Sequence, residues 1–162
     1  MNIILIAISI FVTLIFLYLF FRFIQDQNLK HLAKDYEEYA IHCQNKIINN
    51  PHQINVSAEK MALKIMKKRY LQLKNNFKDN PRVLKEIAKD WRDYVHAIFE
   101  FMSEKEVFEI DFGDHLGDSA ARDRFKKRVA ASMIKKDKIE ERFCRLLGIS
   151  DISIKYIKLY RY

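Results

Sequence analysis

Ile3-Ile-Leu-Ile-Ala-Ile-Ser-Ile-Phe-Val-Thr-Leu-Ile-Phe-Leu-Tyr-Leu-Phe-Phe21 is a run of 19 residues without a charge. As a helix rising about 1.5 Å per residue, it approaches the roughly 30 Å hydrocarbon core of a bilayer. Ser9 and Thr13 are its small polar residues, and both can bond back to their own helix. A secretory signal would need a basic leader, a shorter apolar run and a small-residue cleavage site. Here Met1 and Asn2 precede the run and Phe20-Phe21-Arg22-Phe23-Ile24 follows it. The expectation is a retained anchor over residues 1–25 that spans the membrane once. Arg22, Lys30 and Lys34 all lie on its C-terminal side. The positive-inside rule therefore places the N-terminus outside and residues 26–162 in the cytoplasm, at the inner membrane if the source is bacterial.

The remainder is long enough for one compact domain. It is poor in chain breakers, with 3 Gly and 2 Pro in 162 residues, and so points to helices. The expected fold is mainly α: one transmembrane helix followed by a small helical bundle. The formal net charge is +8. Residues 119–162 hold 13 basic and 5 acidic side chains, so the whole excess lies there. The basic sub-region is taken as 118–162.

Leaving the anchor, Leu29, Ala33, Tyr36, Ala40, Cys43 and Ile47 follow a 4, 3, 4, 3, 4 spacing, a heptad seam on a helix over 25–49. The seam suits the inward stripe of a bundle helix; a juxtamembrane homodimer contact is the alternative. Asn49–Gln53 reads as a loop, and Ser57 as the cap of a helix over 58–78. Asn80 and Pro81 open the next, with Leu84, Ile87, Ala88, Trp91, Tyr94, Val95, Ile98, Phe99 and Met102 forming a wide apolar stripe. That makes 81–102 the central helix, paired as a hairpin with the one before. Cys43 and Cys144 are expected to be reduced core thiols.

Ser103-Glu-Lys-Glu106 has a capping-box pattern that would start a further short helix. Phe108, Ile110 and Phe112 alternate with Glu109 and Asp111, which suits a strand instead. A basic helix over 120–136 follows, with Ala121, Phe125, Val129 and Met133 on its apolar side; Asp137 and Glu140 restart a short helix that Gly148 ends. The tail has two readings. Ile152, Ile154 and Tyr156 alternate as in a strand, which would pair 152–160 with 108–112 in a two-stranded β-ribbon. Alternatively, Ser150 caps a last helix. The strand is preferred.

Three groups of side chains were weighed for function. Asp111, Asp114, His115 and Asp118 surround two glycines and could meet a divalent cation, but they match no established ligand pattern, and a polar turn is the simpler account. Asp111-Phe112-Gly113 matches a kinase signature in letters only. Arg122, Lys126, Lys127, Arg128, Lys135, Lys136, Lys155, Lys158 and Arg161 make a basic face that suits anionic lipid or nucleic-acid phosphates. Within it, Leu147-Gly-Ile-Ser150, Ser153-Ile154 and Ile157 resemble the turn and recognition helix of bacterial helix-turn-helix proteins. That resemblance implies a DNA contact through Lys155, Lys158 and Arg161. The five histidines are scattered, and no nucleophile elbow, phosphate loop or zinc-protease motif occurs. No enzyme activity and no cofactor is expected. The functional expectation is binding, as an adaptor or accessory subunit of a membrane complex with a protein partner, through the seam of Leu29, Ala33, Tyr36, Ala40 and Ile47 and through the basic face. A membrane-tethered nucleic-acid regulator is the alternative, and a metal-dependent enzyme using the acidic loop comes third.

Overall fold

The computed structural model describes residues 2–49, 56–112 and 119–148. Among these there are four helices and no strand: α1 (Asn2–Ile48), α2 (Val56–Asn76), α3 (Pro81–Phe112) and α4 (Ser119–Leu146). α1 is 47 residues long and carries the apolar run into the seam without a break. Within the run, the Thr13 hydroxyl donates to the Ser9 carbonyl at 2.8 Å. This back-bond satisfies the hydroxyl inside an apolar stretch.

Cross-helix contacts define the directions. At one end, Lys60 of α2 donates to the Ile48 carbonyl of α1 at 3.1 Å. Further along, Lys74 grips Glu37 at 2.7 Å, so α2 returns antiparallel to α1. Tyr36 and Tyr39 of α1 meet Arg92 and His96 of α3, so α3 runs parallel to α1. Arg128 with Glu104 and Arg142 with Asp90, each 2.7 Å, set α4 antiparallel to α3. The result is an up-down-up-down bundle. The α2–α3 turn and the Gly148 end of α4 both lie toward the apolar end of α1.

The core forms because each helix presents apolar residues at helical spacing. Ala40, Cys43 and Ile47 of α1 meet Met66 and Tyr70 of α2, Trp91 through Met102 of α3, and Phe143 and Cys144 of α4. Trp91 stacks on Tyr70 with centroids 5.0 Å apart and meets Phe143 at 5.9 Å, so it joins three helices. Each such buried side chain contributes roughly 1.5–3 kcal/mol from area removed from water. The α2–α3 hairpin is present, yet α3 packs most extensively along α1 and α4.

Three expectations are corrected. Phe108–Phe112 is the last turn of α3 and not a strand, so the β-ribbon loses one partner; the other, 152–160, lies outside the described residues. Ser103 starts no new helix, because α3 runs straight through it. Asp137 starts none either, because α4 is continuous from Ser119 to Leu146. In both places a capping-box sequence sits inside a helix whose length is set by packing. Glu104 reaches across to Arg128 of α4 at 2.7 Å and ties the middle of α3 to that helix. The end at Gly148 is as expected: φ is +64°, and Leu147 and Gly148 donate to the Phe143 and Arg145 carbonyls. A left-handed glycine closes the helix in this way.

Candidate functional site

The seam residues lie inside the bundle. Ala33, Ala40, Cys43 and Ile47 are buried, while Tyr36 and Leu29 are half-buried beside α3. Their apolar surface is thus covered by this chain's own helices. Cys43 and Cys144 are both free and buried; Cys144 Sγ lies 3.8 Å from Met66 Sδ. Burial pushes the Cys43 thiol up from its ordinary value, which makes it a poor nucleophile.

The basic face is divided by the fold. Lys136 leaves it altogether: it is buried, and its Nζ lies 2.8 Å from Glu59 and 3.1 Å from Asp137. Burial alone would lower the Lys136 pKa, but Glu59, then Glu140 and Asp137, outweigh it and hold the ammonium above the usual lysine range. Arg128 and Lys135 are exposed but tied to Glu104 and Glu100 of α3, at 2.7 and 2.6 Å. Arg122, Arg124, Lys126 and Lys127 are exposed and, among the described residues, make no ion pair. They sit in the first turns of α4, at the end of the bundle far from the apolar run. Lys155, Lys158 and Arg161 lie outside the described residues.

Of the acidic group, Asp111 is in the last turn of α3, and Asp114, His115 and Asp118 lie outside the described residues. Among the described residues no cluster of three metal-ligating side chains occurs. His96 lies at the edge of the core with a partner on α1 and one on its own helix. Its Nδ1 is 3.0 Å from the Tyr39 hydroxyl and its Nε2 is 3.5 Å from Glu100. Asp93 pairs with Arg92, at 2.6 Å. Two clefts border His96: one of about 420 Å³ lined by Tyr36, Tyr39, Arg92 and Asp93, and one of about 400 Å³ lined by Glu100, Ser103, Glu104 and Ser132, whose hydroxyl donates to the Val129 carbonyl at 2.8 Å.

Sequence reasoning missed one further feature. The turn joining α2 to α3 lies alongside α1 where the apolar run gives way to charge. Between them is a groove of about 690 Å³ lined on the α1 side by Tyr18, Phe21, Arg22 and Asp26 and on the turn side by Asp79 and Arg82. The turn is braced by Asn80, whose carbonyl accepts from Leu84 and whose side chain accepts from Val83 N–H at 3.3 Å. No spacing in the sequence relates Arg22 to Arg82; only the bundle brings them to one groove.

α1 is long and apolar enough to cross a membrane, and none of its apolar window is covered by protein. Compared with protein-family models, curated proteins and solved structures, the chain matches none.

Proposed function

We propose that this chain is a single-pass membrane protein whose cytoplasmic bundle acts by binding, as an adaptor or accessory subunit of a membrane complex, and not by catalysis. One observation carries the reading: an apolar helical end with no protein neighbour continues, unbroken, into a packed bundle. Phe11, Phe16, Tyr18 and Phe21 are each more than 60% exposed, which in water would leave a large apolar surface uncovered. A bilayer covers it, and Arg22, Lys30 and Lys34 favour the cytoplasm for the bundle.

The continuity of α1 also supports one position for the partner over another. From Arg22 to Ile48, at about 1.5 Å per residue, the helix rises about 39 Å. That separation is several Debye lengths of about 8 Å, so charges at the far end of an upright bundle feel little of the inner leaflet. Arg122, Arg124, Lys126 and Lys127 are therefore better placed for an acidic protein surface of a membrane complex than for anionic lipid.

The test uses the intact chain in mild detergent. Resistance to alkaline extraction and a cytoplasmic reporter after Tyr162 are expected. Charge reversal at Arg122, Lys126 and Lys127 should abolish a salt-sensitive protein partner without changing thermal unfolding. Salt-sensitive capture of duplex DNA by the same residues would favour a nucleic-acid regulator instead. Loss of function on Asp114→Ala with folding intact would favour metal chemistry at the acidic loop.

A further inference from the structure

The groove between α1 and the α2–α3 turn holds four charged side chains, Arg22, Asp26, Asp79 and Arg82. Arg22 and Asp26 are four apart on one helix, and Asp79 and Arg82 are three apart across the α3 N-terminus. On a helix the first of these spacings lets opposite charges meet. Here, among the described residues, none of the four is ion-paired or hydrogen-bonded through its side chain. Tyr18 and Phe21 add an apolar rim on the side of the membrane-spanning run.

Resting on the membrane-spanning reading, the geometry points to a headgroup site for an aminophospholipid of the phosphatidylethanolamine type. Phe21 is the last residue of the uncharged run and Arg22 the first charge, so the groove lies at headgroup depth. Arg22 and Arg82 supply the donors that a phosphodiester needs. Asp26 and Asp79 accept from the primary ammonium. Tyr18 and Phe21 lie beside the first part of an acyl chain. Two charges of each sign suit a zwitterion. A purely anionic headgroup would leave both aspartates repelled, and a choline headgroup has no N–H to donate to them.

The experiment is native mass spectrometry of the delipidated full chain in mild detergent, with dioleoyl phosphatidylethanolamine, phosphatidylcholine or phosphatidylglycerol added. One phosphatidylethanolamine adduct should persist, about tenfold favoured over either other lipid, as expected for one charge-assisted contact set. Arg22→Gln and Arg82→Gln, on separate elements, should each weaken it about tenfold. The pair Asp26→Asn with Asp79→Asn should erase the preference over phosphatidylglycerol. Equal retention of all three lipids, indifferent to these variants, overturns the proposal; so does a phosphatidylglycerol preference in the wild type. Alkaline extraction run in parallel separates the two failures. A chain that stays integral yet ignores headgroup chemistry refutes only the groove, whereas a chain released from the membrane refutes both.

Discussion

At the scale of single residues, Lys136 departs furthest from its expected role. Its ammonium sits among Glu59, Asp137 and Glu140 in a bundle interior. Removing one partner of a buried pair strands the other charge, so Lys136→Met should cost roughly 3–5 kcal/mol in denaturant unfolding. The double variant Lys136→Met with Glu59→Leu should recover part of that, because Glu59 is then no longer stranded while the buried Glu140 remains. Since the folded state holds the Lys136 pKa above its unfolded value, its stabilisation is complete below the ordinary lysine range. It should fade as pH climbs through the folded value, and thermal midpoints recorded from pH 8 upward should fall there in wild type more than in the double variant. Gly148 is a second particular position. Its φ of +64° is left-handed and a Cβ would meet nothing within 4 Å. Gly148→Ala should therefore cost about 1 kcal/mol from backbone conformation alone, read from the same unfolding curves.

At the scale of elements, helix lengths are the lesson. Ser103-Glu-Lys-Glu106 carries the letters of a helix start, yet α3 continues through it to Phe112. If Glu104 were the first residue of a new helix, proline there would be welcome. In the observed continuous helix, Glu104→Pro should cost about 3 kcal/mol or more by removing a backbone bond and clashing with the preceding turn. Glu104→Ala, which removes only the ion pair to Arg128, should cost under about 1 kcal/mol, because that pair is largely exposed. α4 makes the same point through its phase. The predicted stripe included Met133, which is 43% exposed, while Ser132, Lys136 and Glu140 face inward. A restart at Asp137 would have reset the phase; the unbroken helix carries it from Phe125 through Val129 and Ser132 to Phe143.

At the scale of the whole molecule, the apolar end and the bundle are joined by one helix but share little packing. Residues 6–25 of α1 are all exposed, and burial begins at Asp26. Deleting residues 1–25 takes nothing from the core cluster. The remaining chain should fold in plain buffer with the helical circular dichroism and cooperative melting of the full protein in detergent, and it should partition away from membranes. The bundle also separates the charges by distance from the apolar run. Arg22 and Arg82 gather at the end near the apolar run, and Arg122 through Lys127 gather at the opposite end. The basic face expected over 118–162 is thereby divided, with Arg128, Lys135 and Lys136 spent on ion pairs within the bundle.

Sequence alone established the helical class, the uncharged run of Ile3–Phe21, the inward seam through Ala33, Ala40 and Ile47, the wide α3 stripe around Trp91, and the Asn80 and Gly148 helix ends. Each of these is encoded in neighbours within a turn or two, through periodicity, charge or backbone preference. Tertiary structure decided the rest: that α3 and α4 override their internal start signals, that Lys136 is buried against Glu59, and that Arg22 and Arg82 share a groove. Those outcomes depend on residues 24 to 77 positions apart being packed together, where desolvation and core contacts outweigh the roughly 0.5–2 kcal/mol that local capping chemistry can offer.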